Sequence, residues 1–436
     1  MTSDHNASEW SSALRAGLRV LVVSDSYPPD VGGAHQATFA IAEALTSAGC
    51  RVEVATSHQG ADVRELRREL DPHVNDLRDI SQLVALGRRP ARRFVHTPPP
   101  IVDPPATVRL RQLISTFKPD IVHSYGWLSY SARAALSGTQ TPLILSFRDY
   151  GQICAKRTLY YNGLPCSGPA WGKCTPCAAA FYGRLKGGVA VGGVLGLRGW
   201  LARRVDGVHY TSTYVQTMIE QYFFGGATPR DVPWEIFTSF PPEAAEHVEV
   251  EAPTTLPDEP FILFVGALRA VKGVPLLLRA YEQLDNPPPL VLMGAPARDT
   301  PLDLPPNVCV VGPVSRAAVV SSWKRAMFGV FPSVWPEPHG QVVHEAMAAG
   351  CAVIGTYPGG HADQITSGKT GLLVRAGDVD ELRDAMRLLI DDPSMRVRLG
   401  SAAAETAQGR NTKDSVMPSL VRLYGRVLAR DRNGTG

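Results

Sequence analysis

The stretch "VWPEPHGQVVHEAMAAGCAVIG" (334–355) carries two glutamates eight positions apart: Glu337 between two prolines, Glu345 in a run that reads as a short helix. Carboxylates do not bind phosphate; they accept hydrogen bonds from hydroxyls, and one carboxylate can take two from a diol. Other loops carry the complement. "SYPPDVGGAHQ" sets Gly32 and Gly33 before a helix start, where backbone N–H groups can approach an anion. "GALRAVKG" (266–273) offers Arg269 and Lys272 near another helix start, and His339 and Gly340 lie between the two glutamates. "YPGGHADQ" (357–364) adds a third glycine pair. Two cations with glycine-flanked backbone suit a diphosphate, and the carboxylates suit the hydroxyls of a ribose and a sugar. The set predicts a sugar-nucleotide site. The first glycine loop lacks G-x-G-x-x-G, which weakens a nicotinamide dinucleotide reading.

The elements that must position these loops alternate between apolar β-branched runs and helical periods, the pattern of an α/β protein with parallel sheets. "RVLVVSD", "RVEVATS", "DIVHS", "PLILSFR" and "GVHYTS" read as strands covered on both faces. After a Pro- and Glu-rich stretch the alternation restarts with "FILFVGA", "PLVLMGA", "VCVVGP", "FGVFPSV", "CAVIG" and "GLLVRAG". The reading is two Rossmann-like, doubly wound domains facing a cleft, with ligands at strand C-terminal ends. Residues 1–17 are expected to be a disordered lead-in, 18–240 the first domain, 241–258 a linker and 259–412 the second domain. A helix over 415–430 is expected to return to the first.

The chain has 436 residues, 44% of them hydrophobic and 19% charged, and a net charge of +3. That describes an ordinary globular protein, and the small charge gives no argument for nucleic acid. No run of about 18 apolar residues exists to span a bilayer. Two segments fit peripheral contact at the inner membrane face: "GGVAVGGVLGLRGWLARR" from Gly187 and the basic run "GRRPARR" (87–93). A packed helix and a solvated loop are the plainer readings. Seven cysteines with no secretion signal lead us to expect a cytoplasmic protein.

With these motifs in place, the sequence resembles the retaining glycosyltransferases of family 4, which share the two-domain GT-B fold. Their mark is E-x7-E followed by A-M-A-x-G, then G-G-x-x-E. Glu337, Glu345, "EAMAAG" and "GKTGLLV" match, and the likeness extends from about residue 18 to 430. The resemblance implies an NDP-sugar donor in the second domain and an acceptor in the first: a glycan, a lipid-linked molecule or a small molecule. It implies that Glu345 holds the ribose, Glu337 the donor sugar, and that Lys272 neutralises the diphosphate. It implies no cofactor for catalysis. Departures stand out. Ala267 follows Gly266 where the family often has Arg, so Arg269 is the expected substitute. The usual His-Asp pair appears as Arg148–Asp149, read as catalytic-side residues in which Arg148 pairs with Asp149 or another cleft carboxylate, or meets an anionic group on donor or acceptor. The last motif ends in the shorter Asp363.

Cys154, Cys166, Cys174 and Cys177 form C-x11-C-x7-C-x2-C, whose tight C-x2-C end suits a structural zinc. An iron–sulfur cluster and four packed reduced thiols are the other readings. His123, at a strand end, reads as a cleft residue, with a hydrogen-bonded structural histidine as the alternative. Two rivals to transfer are a sugar-nucleotide epimerase of the same architecture and a non-catalytic zinc-loop scaffold.

Overall fold

The computed structural model describes residues 9–25, 27, 33–56, 74–76, 99–240, 253 and 255–433. Gly32, the basic run 87–93 and nearly all of 241–254 lie outside them. Strands β1 (Arg19–Ser24), β2 (Arg51–Thr56), β3 (Val74–Asp76), β4 (Ile121–Tyr125) and β5 (Leu143–Phe147) come first. A hairpin of β6 (Tyr160–Tyr161) and β7 (Leu164–Pro165) follows, then β8 (Gly207–Tyr210) and β9 (Trp234–Ile236). Apart from the hairpin these make one seven-stranded sheet in the order β3-β2-β1-β4-β5-β8-β9, every pair parallel.

The second sheet takes β10 (Ile262–Val265), β11 (Leu290–Met293), β12 (Val308–Val311), β13 (Phe328–Val330), β14 (Ala352–Tyr357) and β15 (Leu372–Arg375). Its order is β12-β11-β10-β13-β14-β15, again wholly parallel. Strand order reverses beside β1 in one sheet and β10 in the other, which opens a crevice at each switch point.

Every residue of β4 and β5 is buried because alternate side chains enter cores on opposite faces. Val122, Leu143, Leu145 and Phe147 meet helices Pro104–Phe117 and Leu128–Ala135 on one face. Ile121 and Ile144 meet helix Gly33–Ser47 and Met417, Leu420 and Tyr424 of helix Lys413–Asn433 on the other. The last helix therefore completes the core of the first domain.

Local chemistry fixes the helix ends. Asp103 accepts a hydrogen bond from the Ala106 N–H, Pro104 opens its helix, and Lys118 ends it in the left-handed region. Asp378 does the same for Val379–Asp391 through two N–H groups. The segment from Gly187 is built into the interior: Gly187, Ala190, Val191, Val194 and Leu201 are buried. These buried residues fit the plainer reading of this run as a packed helix, while Val189 stays exposed.

The domains interlock across the cleft. Trp335, after β13, packs against the core of the first domain, and Tyr160, in the β6–β7 hairpin, packs against the core of the second. Asp363 accepts from the backbone N–H of Thr213 at 2.7 Å and from its hydroxyl, and Gln341 Nε2 donates to Ser239 Oγ at 2.8 Å.

Candidate active site

Glu337 sits where the loop after β13 meets the loop after β10. It is 9% exposed, and its Oε2 accepts from Lys272 Nζ at 2.6 Å, Trp335 Nε1 at 3.0 Å and Ser333 Oγ at 3.2 Å. Burial opposes its charge. Lys272, His361 and the hydrogen bonds from Lys272 and Ser333 outweigh that and hold the carboxyl below its ordinary pKa. Lys272 ends a 3₁₀ turn, Ala270–Lys272, and Gly273 follows with φ +81°. A side chain at Gly273 would run into the Pro332 carbonyl, so only glycine lets the two loops approach closely enough for the pair. Gly360 donates its N–H to the Glu337 carbonyl at 2.6 Å, which clamps the same loop from the β14 side.

Glu345 projects from helix Gln341–Ala348, and its Oε1 accepts from Arg316 Nε at 2.8 Å. Burial raises its pKa, with Arg316 opposing. The two glutamates, alike in sequence, are thus shifted in opposite directions. Gly340 caps that helix in the left-handed region, against the ring of His361. His361 is buried, and its Nδ1 accepts from the Thr356 N–H at 3.2 Å, so the neutral ring carries its proton on Nε2. Burial pulls His361 and His339 each down to about 4. His339 approaches Asn411 at 3.4 Å. Arg269 is exposed and lies 3.8 Å from Asp299, away from Glu337.

The first domain contributes a second ionic cluster. Asp25, after β1, accepts from the N–H groups of Trp127 and Leu128, both at 2.7 Å. Gly126 lies so close beneath this carboxylate that a side chain there would strike it. Arg157, from the cysteine loop, reaches Asp25 at 3.1 Å and Asp149 at 2.7 Å. Burial works against the guanidinium, and Asp149 and Asp25 raise its pKa despite it. Asp149 is therefore held by Arg157. Arg148 instead donates to Thr38 Oγ1 at 3.0 Å and lies 4.2 Å over the Tyr125 ring. Asp25, Arg148, Asp149 and Arg157 line a cavity of about 30 Å³.

Three expectations need correction or go unplaced. His123 is sealed in the core, not in the cleft: its ring nitrogens bond Tyr424 Oη at 2.8 Å and Ser146 Oγ at 2.7 Å beneath helix Lys413–Asn433. Cys154, Cys166, Cys174 and Cys177 all have free thiols. Among the described residues no group of three or more His, Cys, Asp or Glu side chains is placed to hold a metal. The loop is held by Arg157, by Tyr160 and by the Cys166 N–H on the Leu159 carbonyl at 2.6 Å. Gly33 begins its helix as expected from the sequence; Gly32 lies outside the described residues.

One domain thus carries Lys272 and Glu337 at its strand ends, and the other carries Asp25, Asp149 and Arg157. The chain matches the glycosyl transferase 4-like domain over residues 32–232 and the glycosyl transferases group 1 family over 249–406. The protein is a GT-B glycosyltransferase. Its fold is that of sucrose-phosphate synthase from Thermosynechococcus elongatus, with a TM-score of 0.70 at 19% identity, covering 95% of this chain and all of that one. Anabaena HepE, solved with UDP, superposes with a TM-score of 0.63 at 17% identity over 96% of this glycosyltransferase and all of HepE. Glycogen synthase of Mycobacterium tuberculosis is 26% identical over 93% of this chain and 94% of its own. D-inositol 3-phosphate glycosyltransferase of Arthrobacter is 31% identical over 161 residues, 34% of this chain and 38% of that relative.

The sequence reading missed several residues at this glycosyltransferase's site. Trp335 lies inside the stretch 334–355 and Ser333 one residue before it, so nearness to Glu337 was their only signal. Arg316 follows Ser315, whose side chain caps helix Arg316–Arg325, and that cap was its one signal. Arg157 had none.

Proposed function

We propose that this enzyme transfers a sugar from a nucleoside-diphosphate sugar, with retention of anomeric configuration, to a hydroxyl of a glycan, lipid-linked or small-molecule acceptor. The observation that carries the reading is the buried Lys272–Glu337 pair, with Glu345 eight residues further on at the next helix. Glu345, positioned by Arg316, takes the two ribose hydroxyls. Glu337 takes a hydroxyl of the donor sugar. Lys272 turns towards the diphosphate, and the N–H groups that open helix Gln341–Ala348 face the same charge.

In the front-face route the bond from the anomeric carbon to the diphosphate oxygen breaks while the acceptor oxygen bonds to that carbon on the same face. The acceptor proton passes to the departing phosphate oxygen. The chain's part is positioning and stabilisation of the charge that builds on the leaving group. The cavity beside Asp25, Arg148 and Asp149 is the candidate acceptor subsite, and Arg148 there suits an anionic group on the acceptor. HepE has been solved with UDP and with UDP-glucose, which supports uridine diphosphate sugars as the first donors to test.

Thermal shifts with UDP, GDP and ADP and their glucose conjugates test the reading, since a ligand of the native state raises its melting temperature. One nucleotide should shift it clearly, and Glu345→Ala should weaken that binding by about 1–3 kcal/mol. No shift with any of them, or full affinity in Glu345→Ala, would reject the assignment.

A further inference from the structure

No aspartate or glutamate occurs between Asp149 and Asp206, whereas lysines and arginines recur through that stretch. At its centre, helices Trp171–Tyr182 and Arg184–Val191 meet at Gly183, which has φ +84°. Gly187 packs directly on the backbone of Ala178, where a Cβ would come within 2.7 Å, so the small residues face inward. The large apolar residues at the corner face out: Phe181 is 56% exposed, Leu185 84% and Val189 43%. Arg184 and Lys186 flank Leu185 and are exposed too.

Exposed apolar side chains set among cations, with no acid in the flanking sequence, need a partner that is apolar and anionic together. A second copy related through this corner would oppose the same cations to each other. A nucleic acid would offer charge but no bed for Leu185. A bilayer with anionic headgroups offers both. We propose that the Gly183 corner is a docking face for an anionic membrane surface, with Phe181, Leu185 and Val189 entering the headgroup boundary and Arg184 and Lys186 meeting lipid phosphates. The corner lies close behind the first domain's ionic cluster: Tyr182 Oη donates to the Ala155 carbonyl at 3.1 Å, two residues before Arg157. Docking therefore sets the first domain's side of the cleft next to the bilayer.

Flotation of the full chain with vesicles tests this. It should float with phosphatidylcholine–phosphatidylglycerol vesicles and not with phosphatidylcholine alone, and high salt should release it. Arg184→Glu/Lys186→Glu should lower the partition by more than about thirtyfold, the loss from removing two basic residues at about 1 kcal/mol each, since it also adds two negative charges. Leu185→Glu should lower it at unchanged melting temperature, because that side chain touches little of the fold. Three results would each overturn the proposal: no flotation, flotation insensitive to both variants, or equal flotation on neutral vesicles. Gel retardation of DNA or RNA abolished by the charge variant would assign the face to nucleic acid, and a dimer in sedimentation abolished by Leu185→Glu would assign it to a second copy; either also overturns it.

Discussion

The two walls of the cleft hold ionic clusters of similar make-up that are assembled in opposite ways. On the second domain Lys272, Ser333, Trp335 and Glu337 come from two tight loops at neighbouring strand ends, and Glu345 follows on the next helix. On the first domain Asp149 and Arg157 lie eight residues apart, and Asp25 comes from the end of β1, 132 residues from Arg157. In the first arrangement Lys272 makes a single ion pair. The second clamps its cation between two carboxylates, one of them almost fully buried.

That contrast can be broken at Arg157. Arg157→Ala strips the countercharge from Asp25 and Asp149, and urea unfolding should show a loss of about 3 kcal/mol, the low end for a buried pair because Arg157 is partly exposed. A loss under about 1 kcal/mol would mean the first-domain cluster is held no more tightly than the second. Next comes Glu337→Ala, which should lower kcat about a hundredfold while leaving nucleotide affinity within a few fold, because the lost contact is to the sugar and misplacement is costly. Steady-state kinetics and nucleotide titration of the same preparation check the split.

The smallest effect separates the two glutamates by sign. The folded pKa of Glu337 is depressed, so its contribution to stability is present above the ordinary value near 4.5 and is lost as pH falls through the folded value. The folded pKa of Glu345 is raised, so its contribution is present below 4.5 and is lost as pH rises through the folded value. At neutral pH, Glu337→Gln should therefore destabilise and Glu345→Gln should be neutral or stabilising, each by about 1 kcal/mol. Melting temperatures at pH 7 decide it, and shifts of the same sign would erase the distinction.

Legibility follows the same divide. The second-domain wall could be read because strand, glycine turn and helix follow one another there, so Glu337 and Glu345 carry their geometry in their spacing, and Lys272 lies at the corresponding turn after β10. The parallel strands were equally plain, since burial on both faces leaves an unbroken apolar run, as in β4 and β5. Arg157 was hidden because nothing local relates it to Asp25, 132 residues away. His123 misled for a related reason. A histidine at a strand's end suggests a cleft, but the covering Tyr424 comes from a helix 301 residues on. The Arg148–Asp149 neighbours suggested a pair, yet adjacent residues on a strand end point apart, and each found its partner elsewhere.

Helix Lys413–Asn433 supplies the final layer over the first sheet, with Met417, Leu420, Leu423 and Tyr424 in the core there. During synthesis the ribosome makes this helix only after the entire second domain. Until it emerges, Ile121, Ile144 and the hydroxyl-bonding face of His123 lack their cover. The nascent first domain must wait with an apolar seam open, and the second domain must fold while tethered between the two halves of its neighbour. Completion of the first domain is thus a late event in the life of each chain, and truncation before Met417 leaves a seam suited to chaperones and to aggregation.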